Sequence, residues 1–298
     1  MRARARAVLP FLVAFALLAA ASAQARGRER IVAVGDVHGA RAPLLALLHA
    51  NGITDANGRW TGGRTTLVQL GDFLDRGPDE RGVIELLRSL QAGARRAGGE
   101  VVVLAGNHEI MSLIGDWRYV SPEAIAGFGG AEARRRAFAP SSEVGRWLRG
   151  LPAIVELDDN VFVHGGVSPE LAVLGVNGIR RRARKELARL DAERANALRE
   201  GVLLADAGLD ALLALKRPAL AEFPGWLITH PLGPFWFRGH ATQSDEELAA
   251  ELPSVLKRLG AKRIVVGHTP QLPAAVRSRA RGRVILADTG MLAGAFFS

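Results

Sequence analysis

The chain contains no cysteine among its 298 residues. This absence excludes disulfides, cysteine-rich zinc sites, a thiolate nucleophile and a lipid anchor on an N-terminal cysteine. Tyrosine is nearly absent, with Tyr119 the single example, and the basic residues form no long run beyond the one from Arg180 to Lys185. Nucleic-acid-binding surfaces combine clustered cations with stacking aromatic side chains, so we predict no nucleic-acid partner.

The sequence also lacks an apolar run long enough to cross a membrane. The run from Val8 to about Ala23 is shorter than the roughly 20 residues that a spanning helix needs. Three arginines precede it and small residues up to Ala25 follow it, an order typical of a secretory signal peptide over residues 1–25. We therefore expect an exported protein, periplasmic or secreted, without a stable membrane anchor after cleavage. Cleavage lowers the formal charge from +9 to +6, a balance that favours anionic substrates.

Beyond Arg30, short apolar runs alternate with helical stretches. Strands are predicted at residues 31–34, 65–70, 101–104, 154–157, 161–163, 264–266 and 284–287, and helices at 43–50 and 78–97, the second opening with Pro78. This order indicates one α/β domain over residues 26–298. A segment rich in arginine, alanine, leucine and glutamate, at about 175–225, is predicted to be a helical insertion that caps the functional site.

Polar side chains follow the predicted strands at the point where each one ends. They are Asp36 and His38, Asp72, Asn107 and His108, His164, and His268. Because the carboxyl ends of parallel strands share one edge of a sheet, these side chains are expected to converge. Each motif alone is ordinary, since a strand-end aspartate commonly caps the next helix. Their joint occurrence after five apolar runs favours a functional site.

The composition of this set points to metal binding. Aspartate, asparagine and histidine offer oxygen and nitrogen ligands without soft thiolates, which suits Mn, Fe or Zn. His108 directly follows Asn107 and cannot easily face the same way, which leaves two aspartates, one asparagine and three histidines. Six side chains are too many for one catalytic ion with open positions, but they suit two ions that share a bridging carboxylate. Such ion pairs, roughly 3.5–4 Å apart, hold the attacking and leaving oxygens of an in-line displacement.

The motifs resemble those of the calcineurin-like metallophosphoesterase superfamily. The residues that carry the resemblance are Gly35-Asp36-Val37-His38-Gly39, Gly71-Asp72, Asp75-Arg76-Gly77, Gly106-Asn107-His108-Glu109, His164-Gly165-Gly166 and Gly267-His268. The Asp-Arg-Gly and Asn-His-Glu forms are similar to the phosphoprotein phosphatase branch. The segments 111–120 and 233–239 are similar to the Shewanella-like phosphatases of bacteria and plants, and the whole match runs from about Ile31 to Met291.

The resemblance implies a fold and a role for each site residue. The fold would be a β-sandwich flanked by helices, with the dinuclear site at the carboxyl ends of the strands. Asp36 and His38 would bind the first metal and Asp72 would bridge both. Asn107, His164 and His268 would bind the second metal, and Asn107 would also contact substrate. Arg76 and Arg238 would bind phosphate, whereas His108, oriented by Asp75, would protonate the leaving group.

Several other polar residues carry weaker signals. His49 is expected to be incidental, and Glu109 is expected to support a ligand rather than bind metal. His230 and His240 could line the pocket or simply be packed or solvated. Asp288 could support a ligand or end a turn, and the Trp236-Phe237 pair is expected to be core.

The leading hypothesis is a phosphomonoesterase, in which water bridging two metal ions attacks phosphorus in line. Its substrate would be a phosphorylated protein or a small phosphoester, and the Shewanella-like resemblance implies phosphotyrosine activity. One alternative is a hydrolase of dinucleoside polyphosphates or other nucleotides, which export disfavours. An alternative of another class is a catalytically inactive phosphate-binding protein, which the complete ligand set disfavours. A substrate panel combined with metal analysis separates the three.

Overall fold

A computed structural model describes residues 30–292 of the chain, so the predicted signal peptide lies outside the described residues. Two sheets form the centre of the domain. The first has the strand order β1-β2-β3 and is entirely parallel. The second has the order β4-β5-β6-β8-β7, with β5, β6 and β8 parallel and the two edge strands antiparallel. The strands are β1 Ile31–Val34, β2 Thr66–Gln69, β3 Glu100–Val103, β4 Ile154–Leu157, β5 Asn160–Val163, β6 Arg263–Val266, β7 Arg277–Arg279 and β8 Val284–Leu286.

The two sheets pack face to face through apolar side chains. Val68 and Leu70 from the first sheet meet Phe162 and Val265 from the second in one buried cluster. These strands are nearly continuous in valine, leucine and isoleucine, as expected where both faces of a parallel strand are covered. The predicted α/β sandwich is therefore confirmed.

Helices cover the outer faces of the sandwich. They are α1 Arg41–Ala50, α2 Glu80–Arg96, α3 Asn107–Ile114, α4 Pro122–Gly127, α5 Ala131–Phe138, α6 Glu143–Gly150, α7 Pro169–Ala172, α8 Gly175–Arg199, α9 Leu209–Ala214, α10 Gly239–Thr242 and α11 Asp245–Leu259. Their starts follow local chemistry: Asp79 caps α2 by accepting the Gly82 N–H, and Ser244 and Glu247 form a capping box on α11. Among residues 30–292, none of these helices is both long and apolar enough to cross a membrane.

The register of the strands aligns their carboxyl ends. In the first sheet Val34 pairs with Gln69, and Gln69 pairs with Val103. In the second sheet Val266 pairs with both Val163 and Leu286. The turns that follow these strands therefore lie at one rim of the sandwich, three from each sheet.

The predicted helical insertion consists of α8, α9 and two short 3-10 turns at Pro218–Leu220 and Phe223–Gly225. Apolar residues of α8, including Leu187 and Leu190, are buried in the main core, and its run of arginines from Arg180 to Arg182 is exposed. The helix thus packs on the domain through one face, while its capping role remains a prediction.

Some local predictions differ from the structure. Helix α2 begins at Glu80, because Asp79 takes the cap position and leaves Pro78 outside the helix. The sequence predictions concentrate on the strands that lead into the polar motifs, and they do not include helices α3, α4, α5, α6, α7, α10 and α11 or strand β7. Strand ends differ from the predicted ones by at most one residue, because the partner strand, rather than local composition, decides where pairing stops.

Candidate metal centre

Three turns of the first sheet and two of the second bring the predicted ligands together in one buried cluster. Asp36 and His38 follow β1, Asp72 follows β2 and Asn107 follows β3, while His164 follows β5 and His268 follows β6. All six side chains are at most 5% exposed. The predicted convergence at the strand ends is therefore what the structure contains.

The Asp72 carboxylate lies at the middle of the cluster. Its Oδ2 atom is 3.8 Å from Nε2 of His38 and 3.2 Å from Nε2 of His164. Its other oxygen, Oδ1, accepts the backbone N–H of His108 at 2.9 Å. One oxygen is thus tied to the backbone, and the other faces histidines on both sides, which is the placement that a bridging carboxylate requires.

The remaining ligands complete a group on each side of Asp72. On the first side, Oδ2 of Asp36 is 3.9 Å from Nε2 of His38. On the second side, Nε2 of His164 is 2.9 Å from Oδ1 of Asn107 and 3.2 Å from Nδ1 of His268. Two atoms that each lie about 2 Å from one ion are roughly 3–4 Å apart, so both groups have the spacing of a metal shell.

Backbone carbonyls orient all three histidine ligands. Nδ1 of His38 is 2.9 Å from the Leu74 carbonyl oxygen and Nδ1 of His164 is 2.9 Å from that of Leu70. His268 is reversed, with Nε2 3.2 Å from the Trp236 carbonyl. Each carbonyl accepts an N–H from one ring nitrogen, so the lone pair of the other nitrogen points into the cluster. This arrangement is the usual support for a metal-bound imidazole.

Burial sets the charge of the cluster. Desolvation lowers the pKa of His38 to about 3 and that of His268 to about 2, so both rings are neutral at ordinary pH and can donate a lone pair. Burial, with the negative charges of Asp288 and Asp72, raises the pKa of Asp36. Crowded carboxylates beside neutral imidazoles leave a shortage of positive charge that divalent cations would supply. The donor set therefore fits two metal ions.

His108 lies next to this cluster but is oriented differently. Its Nδ1 is 2.9 Å from Oδ2 of Asp75, and its Nε2 is 3.8 Å from Oδ2 of Asp72. Burial lowers the pKa of His108, but the nearby charges of Asp72 and Asp75 and the hydrogen bond that His108 donates to Asp75 outweigh it, so the net shift is upward. The structure thus places together the pair that was predicted to deliver a proton.

Two arginines border the cluster. Nη2 of Arg76 is 3.4 Å from Nε2 of His108, and its guanidinium lies 5.0 Å from the centre of the Tyr119 ring. Arg238 donates from Nη1 to the His268 carbonyl at 2.7 Å and lies in the field of Asp36 and Asp72. Both predicted phosphate-binding residues are therefore at the rim of the metal-ligand cluster.

Backbone strain is concentrated in the same residues. His38, Asp72, Asp75, Arg76 and His268 all have φ between +46° and +67°. Residues other than glycine adopt this backbone conformation at a cost on the order of 1–3 kcal/mol, and they keep it only where surrounding contacts hold them. Five of the nine non-glycine residues with positive φ in the described chain belong to this site. The strain marks the site independently of the motifs.

Glu109 holds two of the turns together. Its buried carboxylate accepts the backbone N–H groups of Asp72 and Gly106 at 2.7 Å and those of Phe73 and Leu74 at 3.0 Å. Desolvation, with repulsion from Asp72, raises its pKa to about 7. Glu109 contacts the backbone that carries the ligands, which agrees with the predicted supporting position.

Sequence reasoning missed Arg134, Glu80 and Ser112, which surround Asp75 from behind. Arg134 stands in an Arg-Arg-Arg run that looks like a solvated surface. The signal that could have identified it is its spacing of four residues from Phe138, which places both on one buried helix face.

The residues with weaker sequence signals differ in burial and in their contacts. His240 is packed, accepting the Val167 N–H at 3.2 Å and lying at 90° to the Phe237 ring. His230 lies in a turn and accepts the Leu232 N–H, while His49 is exposed on α1.

Asp288 is fully buried and accepts the backbone N–H of Gly290. Its negative charge acts on Asp36, so it lies behind a predicted ligand. Trp236 is half-buried and Phe237 is buried.

We predict that Glu109→Gln weakens metal binding. A glutamine amide presents N–H groups to backbone N–H donors, so two of the four bonds lose their acceptor. The dissociation constant should rise about 10–100-fold, and the melting temperature should fall. Calorimetric titration of the metal-free protein with Mn²⁺ or Zn²⁺ measures this, with exposed Glu123→Gln as the matched control. Unchanged affinity in Glu109→Gln would contradict a supporting role.

We predict that His240 makes stability depend on pH. Burial and the charge of Arg279 lower its folded pKa to about 4, below the value of about 6.5 in an unfolded chain. As pH falls from 6.5 to 4, the unfolded state takes up a proton that the folded state does not, so stability decreases. Denaturation of metal-free protein at pH 7 and pH 4.5 should show about 2 kcal/mol more loss in the wild type than in His240→Gln. His49→Gln is the control, and parallel losses in all three proteins would refute the prediction.

Known proteins resemble this chain over most of its length. Residues 29–272 match the Calcineurin-like phosphoesterase family. The chain is 35% identical over 270 residues to an uncharacterised protein of Schizosaccharomyces pombe, covering 88% of this chain and 73% of that protein. It is 29% identical over 271 residues to Shewanella-like protein phosphatase 1 of Plasmodium berghei, covering 88% and 67%.

A solved structure agrees over a similar range. The cold-active protein-tyrosine phosphatase of a psychrophilic Shewanella species aligns with a TM-score of 0.64 and 32% identity, covering 88% of this chain and 71% of that one. The resemblance drawn from the motifs is thereby confirmed. Because the family match extends over most of its length, the chain belongs to the calcineurin-like phosphoesterases, a family of metal-dependent hydrolases of phosphate esters.

Proposed function

We propose that this protein is an exported phosphomonoesterase that removes phosphate from phosphorylated proteins, with a preference for phosphotyrosine. The observation that carries the proposal is the His108–Asp75 pair beside the metal-ligand cluster. A monoester needs a proton on its leaving oxygen, and His108 offers one from Nε2, which faces the cluster. Its Nδ1 is held by Asp75 at 2.9 Å.

The residues at the rim supply the remaining functions. Arg76 and Arg238 offer planar guanidinium groups that suit phosphate oxygens and the charge that develops on them. Bound cations would supply Lewis-acid activation of water and charge neutralisation, and Mn, Fe or Zn suits the ligand set. As the bond from phosphorus to the leaving oxygen breaks, His108 passes its Nε2 proton to that oxygen.

The position of Tyr119 favours a substrate with an aromatic leaving group. Its ring is 44% exposed, lies 5.2 Å from the His108 ring and is stacked by Arg76 at 5.0 Å. It therefore offers a flat aromatic surface next to the group that would protonate the leaving oxygen, where the phenol ring of phosphotyrosine could pack. The similar Shewanella structure is that of a cold-active protein-tyrosine phosphatase, which supports the same substrate class for this protein.

The proposal of export depends on the first 25 residues. A basic lead, an apolar run and small residues up to Ala25 form the pattern of a secretory signal. Export also favours extracytoplasmic phosphoproteins or small phosphoesters over intracellular nucleotides. Expression of the full chain with localisation of the processed form tests this part separately.

We predict that residues 26–298, loaded in turn with Mn, Fe or Zn, hydrolyse a phosphotyrosine peptide faster than a phosphoserine peptide or diadenosine tetraphosphate. Asp72→Asn should lower the rate by at least about 100-fold, since losing a direct ligand exceeds losing an outer-shell partner. Asp159→Asn, on the exposed turn after β4, is the matched control. Phosphate release and metal content are measured on the same preparations.

Two results would indicate a different function, and a third would exclude the metal-ligand cluster as the active site. Turnover of diadenosine tetraphosphate without monoester turnover would indicate a nucleotide hydrolase. Absence of both turnover and bound metal would indicate a phosphate-binding protein that lacks catalysis. A native rate in Asp72→Asn would show that the metal-ligand cluster is not the active site.

A further inference from the structure

An arginine with no exposed surface lies behind the proposed proton donor. Arg134, on α5, is 0% exposed and is the largest fully buried side chain in the described part of the protein. It belongs neither to the metal-ligand cluster nor to the rim that faces substrate. Buried cations are expensive, and apolar residues of similar volume often stabilise a protein as well or better. An ion pair with the buried Glu80 carboxylate offsets part of this cost, but stability alone does not require a charge at this position.

The guanidinium of Arg134 is held from three sides. Nη2 donates to both carboxylate oxygens of Glu80 at 2.8 Å and 3.1 Å, and Nε donates to one of them at 3.1 Å. The rings of Trp117 and Phe138 lie 4.7 Å and 4.4 Å from its central carbon. A planar group bound at its edge and covered by aromatic rings has little freedom to move.

This fixed group contacts the carboxylate that orients His108. Nη2 of Arg134 lies 3.3 Å from Oδ1 of Asp75 and also donates to the Ser112 hydroxyl at 2.9 Å. The Ser112 hydroxyl donates to the same Oδ1 at 3.2 Å. With Oδ1 held twice, Oδ2 is left to accept the Nδ1–H of His108 at 2.9 Å.

Asp75 needs such support because its backbone is strained. It has φ of +62°, and Arg76 beside it has the same value. A carboxylate on a strained turn could rotate or withdraw if it were held only by one imidazole. Tethers on its far oxygen restrict both movements.

Resting on the proposed phosphomonoesterase function, we infer that Arg134 is a positioning residue: acting through Asp75, it keeps Nε2 of His108 directed at the leaving oxygen. It does not touch substrate or metal. Its contribution is therefore confined to the step in which the leaving group receives a proton, and it should matter most where that proton is needed.

A series of leaving groups tests this inference. 2,4-Dinitrophenolate departs without a proton, whereas phenolate requires one, so loss of a positioned acid affects phenyl phosphate selectively. In Arg134→Lys we expect kcat for phenyl phosphate to fall about 10–100-fold, kcat for 2,4-dinitrophenyl phosphate to change less than about 3-fold, and KM to stay near the wild-type value. Lysine retains the buried positive charge but cannot hold Glu80 and Asp75 with the same planar fork.

Arg135→Lys is the matched control. Arg135 is the next residue of the same helix, and its guanidinium also lies over Trp117, at 5.3 Å. This substitution should leave kcat for both substrates unchanged. An equal loss on both substrates in Arg134→Lys, or no loss in a folded protein, would overturn the inference while leaving the proposed function intact.

Ser112→Ala removes the second tether with a smaller change in volume and covers the case in which Arg134→Lys does not fold. It should show the same selectivity at several-fold magnitude, and a uniform effect would count against the inference. A wild type that hydrolyses no monoester would refute the proposed function instead.

A measurement without turnover remains informative in that case. In protein labelled with ¹⁵N-histidine, the Nδ1–H of His108, assigned with His108→Gln, should be protected from exchange in wild type and Arg135→Lys. It should lose protection in Arg134→Lys or, if that variant does not fold, in Ser112→Ala. Retained protection in the variant that is measured would show that Asp75 does not need the tether removed there, and it would overturn the inference.

Discussion

The architecture of the site depends on one carboxylate that satisfies four backbone N–H groups. Glu109 lies at the start of α3, and its two oxygens bind the turns after β2 and β3. Those turns carry Asp72 and Asn107, so the distance between the predicted bridging ligand and a predicted ligand of the second metal is set by a side chain that is itself outside the predicted ligand set. Close approach of the same turns requires glycine, since a Cβ at Gly106 would lie 2.2 Å from Oδ1 of Asp72.

The site combines several unfavourable features that compensate one another. Buried carboxylates repel, neutral imidazoles lack solvent, and several ligands have left-handed backbone conformations. Five of the six predicted ligands are nevertheless held by a backbone group: Asp72 accepts the N–H of His108, Asp36 accepts the N–H of His268, and the three histidine rings lie against backbone carbonyls. The protein therefore prepares the ligand geometry in advance, and binding of cations would relieve the charge imbalance that this geometry creates.

Much of the site could be predicted from sequence because its ligands follow apolar strands directly. Parallel strands place their carboxyl ends together, so Asp36, Asp72 and His268 could be assigned to one rim from local patterns alone. The pairing of His108 with Asp75 was available only through the family resemblance. The spacing of Arg134 from Phe138 indicates a buried helix face, but its contact with Asp75 could not have been predicted, because the two residues are 59 positions apart. Long-range contacts of this kind depend on how helices such as α5 pack, which local composition does not reveal.

The division of ligands between the two sheets affects how the protein assembles. Asp36, His38 and Asp72 all come from the first sheet, whereas His164 and His268 come from the second, and the His268 N–H reaches Asp36 across 232 residues. During synthesis, the three predicted ligands of the first metal are present early in the chain. The second group lacks His268 until β6 has been made. A tightly bound second ion would then link the two sheets, and it would bind only after the sheets have packed against each other.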